Sequence, residues 1–93
     1  MLSKTQLQTM NAIVAEQKGG LGFTAYKCVE EMAELQKEII KQFNTGKNRR
    51  EKIIEEMGDV LFNIYYLRHA LDIPMDEIAE RIDFRYKRMC DKK

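Results

Sequence analysis

Two groups of carboxylates stand out by residue type and spacing. Glu30, Glu31 and Glu34 sit together with Glu38 one turn further on, and Glu55, Glu56 and Asp59 repeat the pattern later in the chain. At about 100° per residue, Glu31 and Glu34 are about 60° apart on a helix and share a face, and Glu56 and Asp59 have the same spacing. If the two helices pack antiparallel, four carboxylates meet at one level. Unaided, such a cluster is unfavourable: two like charges about 4 Å apart repel by about 4 kcal/mol at an effective dielectric near 20. Either some carboxylates take up protons or a cation fills the space. Oxygen-only ligands favour Mg²⁺, Mn²⁺ or Ca²⁺ over zinc or copper, and magnesium keeps coordination positions open for phosphate oxygens. The cluster therefore suits a nucleotide polyphosphate. The plain alternative is a solvated helix face on which Lys27 pairs with Glu30 and Lys37 with Glu34.

The setting of the second group favours the chemical reading. From Ile53 to Leu71 the chain reads IIEEMGDVLFNIYYLRHAL, apolar on nearly every side between Val60 and Leu67. A helix of that kind wants burial, and it would draw Glu55, Glu56 and Asp59 toward the interior, where charge needs compensation. Gly58 costs a helix about 1 kcal/mol relative to alanine, which close approach of another helix or a ligand would explain. Asn63, one turn beyond Asp59, either faces the same pocket or makes a structural hydrogen bond in the bundle. The flanking Val60, Leu61, Ile64 and Leu67 are expected to face core or a second subunit.

Four helices are needed to position these groups. The first opens on a capping box, Ser3 with Gln6, and ends at Gly19-Gly20, with Leu7, Met10, Ile13 and Val14 on its apolar face. The second is expected from Phe23 or Thr24, with Thr24 as its cap, to about Phe43. Its buried face is expected to be Val29, Met32, Leu35, Ile39, Ile40 and Phe43. Asn44-Thr45-Gly46 stops it, and Asn48 with Glu51 starts the third helix, which runs to about Leu71. The short connection implies antiparallel neighbours. Asp72-Ile73-Pro74 breaks the third helix and starts the fourth, whose apolar stripe is Met75, Ile78, Ala79, Ile82, Tyr86 and Met89. Strand alternation, repeats and low-complexity tracts are absent from the pattern.

Length and composition set the outer bounds. Ninety-three residues make a single domain, 1–93, which can bury only about 60 to 70% of its unfolded surface. The apolar third helix exposes more than one such chain can cover, so a homo-oligomer is expected, dimer or tetramer. Net charge of +1 gives no global pull toward nucleic acid or an anionic membrane. The two cysteines, Cys28 and Cys90, form no metal or redox motif and fit a reducing compartment. With no signal-like N-terminus and no apolar run of membrane-spanning length, a soluble cytoplasmic protein is expected.

The segments Glu30-Glu31-Met32-Ala33-Glu34-Leu35 and Glu55-Glu56-Met57-Gly58-Asp59-Val60-Leu61-Phe62 resemble the EExxE and ExxD signature of the MazG-like all-α nucleoside triphosphate pyrophosphohydrolases. The resemblance covers roughly Tyr26 to Arg88. It implies that Glu31, Glu34, Glu56 and Asp59 bind Mg²⁺, for which Mn²⁺ could substitute, and that the chain cleaves a nucleoside triphosphate to the monophosphate and pyrophosphate. Asn63, Tyr66 and Lys27 are expected at the substrate. So are Arg85 and Arg88, because the family often carries basic residues near the end of this helix. Phe23, Tyr26, Phe62 and Tyr65 join Tyr66 as candidate base-pocket walls, with core packing as their alternative. The competing function is a non-catalytic helical oligomerisation or partner-binding module. A di-iron bundle is disfavoured, since the single histidine, His69, has Tyr66 rather than a glutamate three residues before it.

Overall fold

The computed structural model describes residues 2–17 and 19–92. It contains α1 (Lys4–Glu16), α2 (Gly20–Thr45), α3 (Arg50–Ala70) and α4 (Met75–Asp91) and, among the described residues, no strand. The all-α, four-helix reading holds. Ser3 and Gln6 form the expected capping box in both directions. At the other end of α2, Gly46 adopts a left-handed φ of 73° and returns its N–H to the Gln42 carbonyl, a helix stop that a Cβ would strain. The Asn48 side chain accepts from the Arg50 N–H and so helps start α3. Thr24 is not the cap of α2: the helix begins a turn earlier at Gly20, and Thr24 is buried with its hydroxyl donating to the Gly20 carbonyl.

The α2–α3 hairpin is the main packing unit, and α1 lies against both of its helices. Its register is antiparallel: Thr24 shares a cavity with Asn63, Glu31 lies beside Glu56 and Asp59, and Glu38 reaches Arg49. The α2 face turned toward α3 is therefore Thr24, Cys28, Glu31, Leu35 and Glu38, a seam with alternating steps of four and three residues. This corrects the expected buried face. Val29, Met32, Ile39, Ile40 and Phe43 are all exposed, Phe43 to 77%. At about 100° per residue their stripe lies roughly a quarter-turn round from the seam. A quarter-turn is enough to put one stripe against α3 and leave the other in solvent.

At the loop end of the hairpin, Glu38 is 6% exposed and its Oε2 accepts from Arg49 Nε at 2.8 Å, with Arg49 Nη2 in an ion pair at 2.8 Å from the same oxygen. Lys41 lies 3.8 Å from the other oxygen, and the Arg49 N–H donates to Gln42. Chiefly the Arg49 hydrogen bond, opposed by burial and helped by the charges of Arg49, Lys41 and Lys52, lowers the Glu38 pKa below its ordinary 4.5. A carboxyl with a lowered folded-state pKa stabilises in full above its unfolded value and loses that contribution as pH falls through the folded one. Glu38→Gln is thus expected to melt a few degrees below the native chain at pH 7. The gap should close as pH drops below 4.5. A gap of constant size across that window, measured by thermal melts, would refute an ionic clasp.

The fourth helix behaves differently. It makes no more than a marginal contact with the other three, and none of its residues is buried. Its stripe residues Met75, Ile82, Tyr86 and Met89 face solvent. The turn that launches it is firm: Asp72 takes a left-handed φ of 56°, and Arg68 donates to the Ile73 carbonyl at 2.9 Å. The radius of gyration is 16.1 Å, against about 12 Å for a compact chain of this length.

Candidate metal centre

The hairpin register brings Glu31 from α2 against Glu56 and Asp59 from α3, with one oxygen from each within 4.8 Å of the others. Glu31 and Glu56 are half-buried and Asp59 is exposed, so the group opens from the helix seam toward solvent. Glu56 is the strained member. Its Oε2 is buried and has no hydrogen-bond partner among the described residues. Burial, followed by the charges of Glu31, Asp59, Glu55 and Glu34, raises its pKa above the ordinary carboxylate value. A buried, unpartnered carboxylate oxygen among like charges is costly, and a hard divalent cation is the complement that such a donor set fits.

Of the four expected ligands, three are brought together. Glu34 stands outside the close group, one turn along α2, yet its charge reaches Glu56. Lys27 lies 3.5 Å from Glu30 and 3.9 Å from Glu31, at the edge of the cluster. Asn63 Nδ2 donates to the Asp59 carbonyl one turn back in its own helix at 2.8 Å, and the residue lines an adjoining cavity. Tyr66 is buried and lines that cavity as well. Arg85 and Arg88 are not brought to the carboxylates within the chain, because α4, which carries them, stays apart from α2. They line a separate surface depression with Tyr86, Met89 and Lys92.

The structure also sorts the aromatic candidates. Phe23 and Phe62 border the cavity beside Lys27 and Asn63. Tyr65 is used elsewhere, its hydroxyl donating to the Leu2 carbonyl and its ring lying under the Arg68 guanidinium. Tyr26 is 66% exposed and is not among the cavity's lining residues. Sequence reasoning missed Met10, Val14 and Gln17, which complete the cavity wall from the α1 side. Their only signal was the apolar face of α1, which says that a helix packs but not what it encloses. The close approach expected at Gly58 is absent within the chain, since a Cβ there would meet nothing within 4 Å.

An α-helical hairpin that presents clustered carboxylates from both of its helices, half sunk in the seam, defines a class of all-α protein with a donor set that could hold a metal ion. The particular family follows from comparison: residues 22–92 match the MazG nucleotide pyrophosphohydrolase domain, and the chain belongs to that family. The histidine biosynthesis bifunctional protein HisIE from two strains of Staphylococcus epidermidis is 36% identical over 42 residues. That match covers 45% of this chain and 20% of the relative's length. No solved structure gives a significant match. Among the described residues, no helix is long and apolar enough to cross a membrane.

Proposed function

We propose that the protein is a divalent-cation-dependent pyrophosphohydrolase that converts a nucleoside triphosphate and water to the nucleoside monophosphate and pyrophosphate. The observation that carries this reading is the unpartnered buried oxygen of Glu56 set against Glu31 and Asp59 in a chain of this family. Glu31, Glu56 and Asp59, with Glu34 beside them, would hold Mg²⁺, for which Mn²⁺ could stand in. The bound ion supplies neutralisation of phosphate charge and a lowered pKa for the attacking water. The chain's own groups do the remaining work. Lys27, held at the cluster's edge by Glu30 and Glu31, offers an ammonium to the phosphate tail. A carboxylate of the cluster would take the proton of the water as its oxygen bonds to one phosphorus of the α–β anhydride and the bridging P–O bond breaks, separating the monophosphate from pyrophosphate.

The assembly we infer is a homo-oligomer, located in the cytoplasm. Its support is the exposed stripe of α2, the exposed Ile54, Met57 and Leu61 of α3, and the exposed Met75, Ile82, Tyr86 and Met89 of α4. Docking of α4 onto a hairpin, its own or a partner's, is what would carry Arg85 and Arg88 to a phosphate.

The test is a panel of nucleoside triphosphates incubated with Mg²⁺ and scored for monophosphate and pyrophosphate. Release of both, abolished by chelator, is expected. No product from any triphosphate, together with melting temperatures indifferent to nucleotide and Mg²⁺, would favour the second reading, a non-catalytic oligomerisation module suggested by the same exposed faces.

A further inference from the structure

The seam between α2 and α3 carries charge well beyond the carboxylates. On α3, Lys52, Glu56 and Asp59 follow one another at steps of four and three residues and share a helix face. On α2, Glu31, Glu34, Glu38 and Lys41 do the same at steps of three and four. The helices are antiparallel and Arg49 stands opposite Glu38, so Lys52, three residues further along α3, comes level with Leu35, between Glu34 and Glu38. From Lys52 to Glu56 the helix rises only about 6 Å, within reach of a lysine side chain. Cations collect at this end of the seam. Arg49 Nη2 is 2.8 Å and Lys41 Nζ 3.8 Å from Glu38, and the charge of Lys52 reaches the same carboxylate.

These cations are not equally committed. Arg49 is tied to a buried partner, whereas Lys52 pairs with Glu55 at 3.4 Å and both side chains are more than half exposed, a loose contact that another anion can replace. A surface depression of about 570 Å³ opens beside them, with Arg49, Arg50 and Lys52 in its lining. The opposite end of the seam differs. There α1 lies across the hairpin, and among the described residues the cavity wall it completes holds one charged group, Lys27. A phosphate chain anchored at Glu31, Glu56 and Asp59 therefore finds most of its counter-charge toward the loop. We propose that the leaving pyrophosphate extends along the seam to the loop end, where Lys52 and Lys41 take up its charge, and that this contact makes the site select triphosphates over diphosphates. This rests on the pyrophosphohydrolase reading of the carboxylate site. As the bridging P–O bond breaks, negative charge builds on the leaving oxygen, and ammonium groups placed along the departing pyrophosphate stabilise it without giving up a proton. A diphosphate has one phosphate fewer with which to reach Lys52.

Two measurements test the proposal and separate it from the reaction itself. In the first, kcat/KM is measured for ATP, GTP, CTP and UTP and for the matching diphosphates. The chains compared are the native one, Lys52→Gln, Lys41→Gln and Lys4→Gln, the last removing the same charge from the exposed start of α1. The triphosphate-to-diphosphate ratio should fall about tenfold in Lys52→Gln, the size of one lost charge-assisted contact, and keep its native value in Lys4→Gln. In the second, the chain in Mg²⁺ is titrated with inorganic pyrophosphate and, separately, with inorganic phosphate, and followed by amide NMR. Pyrophosphate is expected to shift the Lys41 and Lys52 amides, and phosphate to shift them less. Hydrolysis with the ratio unchanged in both loop-end variants would overturn the pyrophosphate subsite and leave the reaction standing. Pyrophosphate shifts at Lys41 and Lys52 in a chain that hydrolyses no nucleotide would do the reverse. Pyrophosphate that moves neither amide would overturn the subsite whatever the hydrolysis result.

Discussion

Asp59→Asn and Glu56→Gln are expected to hydrolyse nucleoside triphosphates about 10² to 10³ times more slowly than the native chain, the scale of losing a group that stabilises charge in the transition state. The two substitutions keep shape and remove one negative charge each, so a loss of that size would report charge and not packing. Stability should move the other way. Glu56 carries a buried oxygen without a hydrogen-bond partner and sits among Glu31, Asp59, Glu55 and Glu34. Glu56→Gln relieves that repulsion, and without metal the variant should melt at or above the native temperature. Added Mg²⁺ should reverse the order, because a ligand stabilises the chain that binds it by an amount that grows with the logarithm of its concentration above Kd. Full activity in both variants would sink the carboxylate assignment. Melting temperatures that ignore Mg²⁺ in the native chain would sink the metal.

Leu61→Glu and Phe43→Asp should turn an oligomer into a monomer. Both side chains are among the most exposed apolar groups on the hairpin, 61% and 77% respectively, and neither belongs to the carboxylate cluster. On a monomer these changes would be near neutral, since surface substitutions usually fall within about 0.5 kcal/mol. Across an interface each would bury an unpaired charge, which breaks association. Light scattering at micromolar concentration is expected to give a multiple of the chain mass for the native protein and the single-chain mass for either variant. A native protein that is monomeric there would refute the assembly, and the wide radius of gyration would then belong to the free chain.

What could be read early was what local rules govern. Helix number and type followed from periodicity and from stop and start residues. The Ser3–Gln6 box and the Gly46 stop were found where their chemistry put them. The spacing of Glu31 against Glu56 and Asp59 was equally legible, because side chains three or four residues apart share a helix face regardless of the surroundings. Pairing them needed only a short hairpin loop.

Orientation was not local. α2 carries two stripes a quarter-turn apart, one polar and one apolar, and both satisfy the helical period. Hydrophobicity favours burying Val29, Met32, Ile39, Ile40 and Phe43, yet the structure turns Thr24, Cys28, Glu31, Leu35 and Glu38 inward. The Glu38–Arg49 clasp holds one end of that seam, and no periodicity signals it, because the two residues are distant in the chain. The cavity is of the same kind: α1 reads as an ordinary amphipathic helix, and only its position across the hairpin makes Met10, Val14 and Gln17 its wall. The separation of α4, too, is invisible in a stripe that would serve equally against its own chain or another. The residue types by themselves determined four helices and a set of carboxylates suited to a cation. Tertiary structure decided which side of each helix the site occupies, since the choice between two equally periodic faces is made by partners distant in the chain.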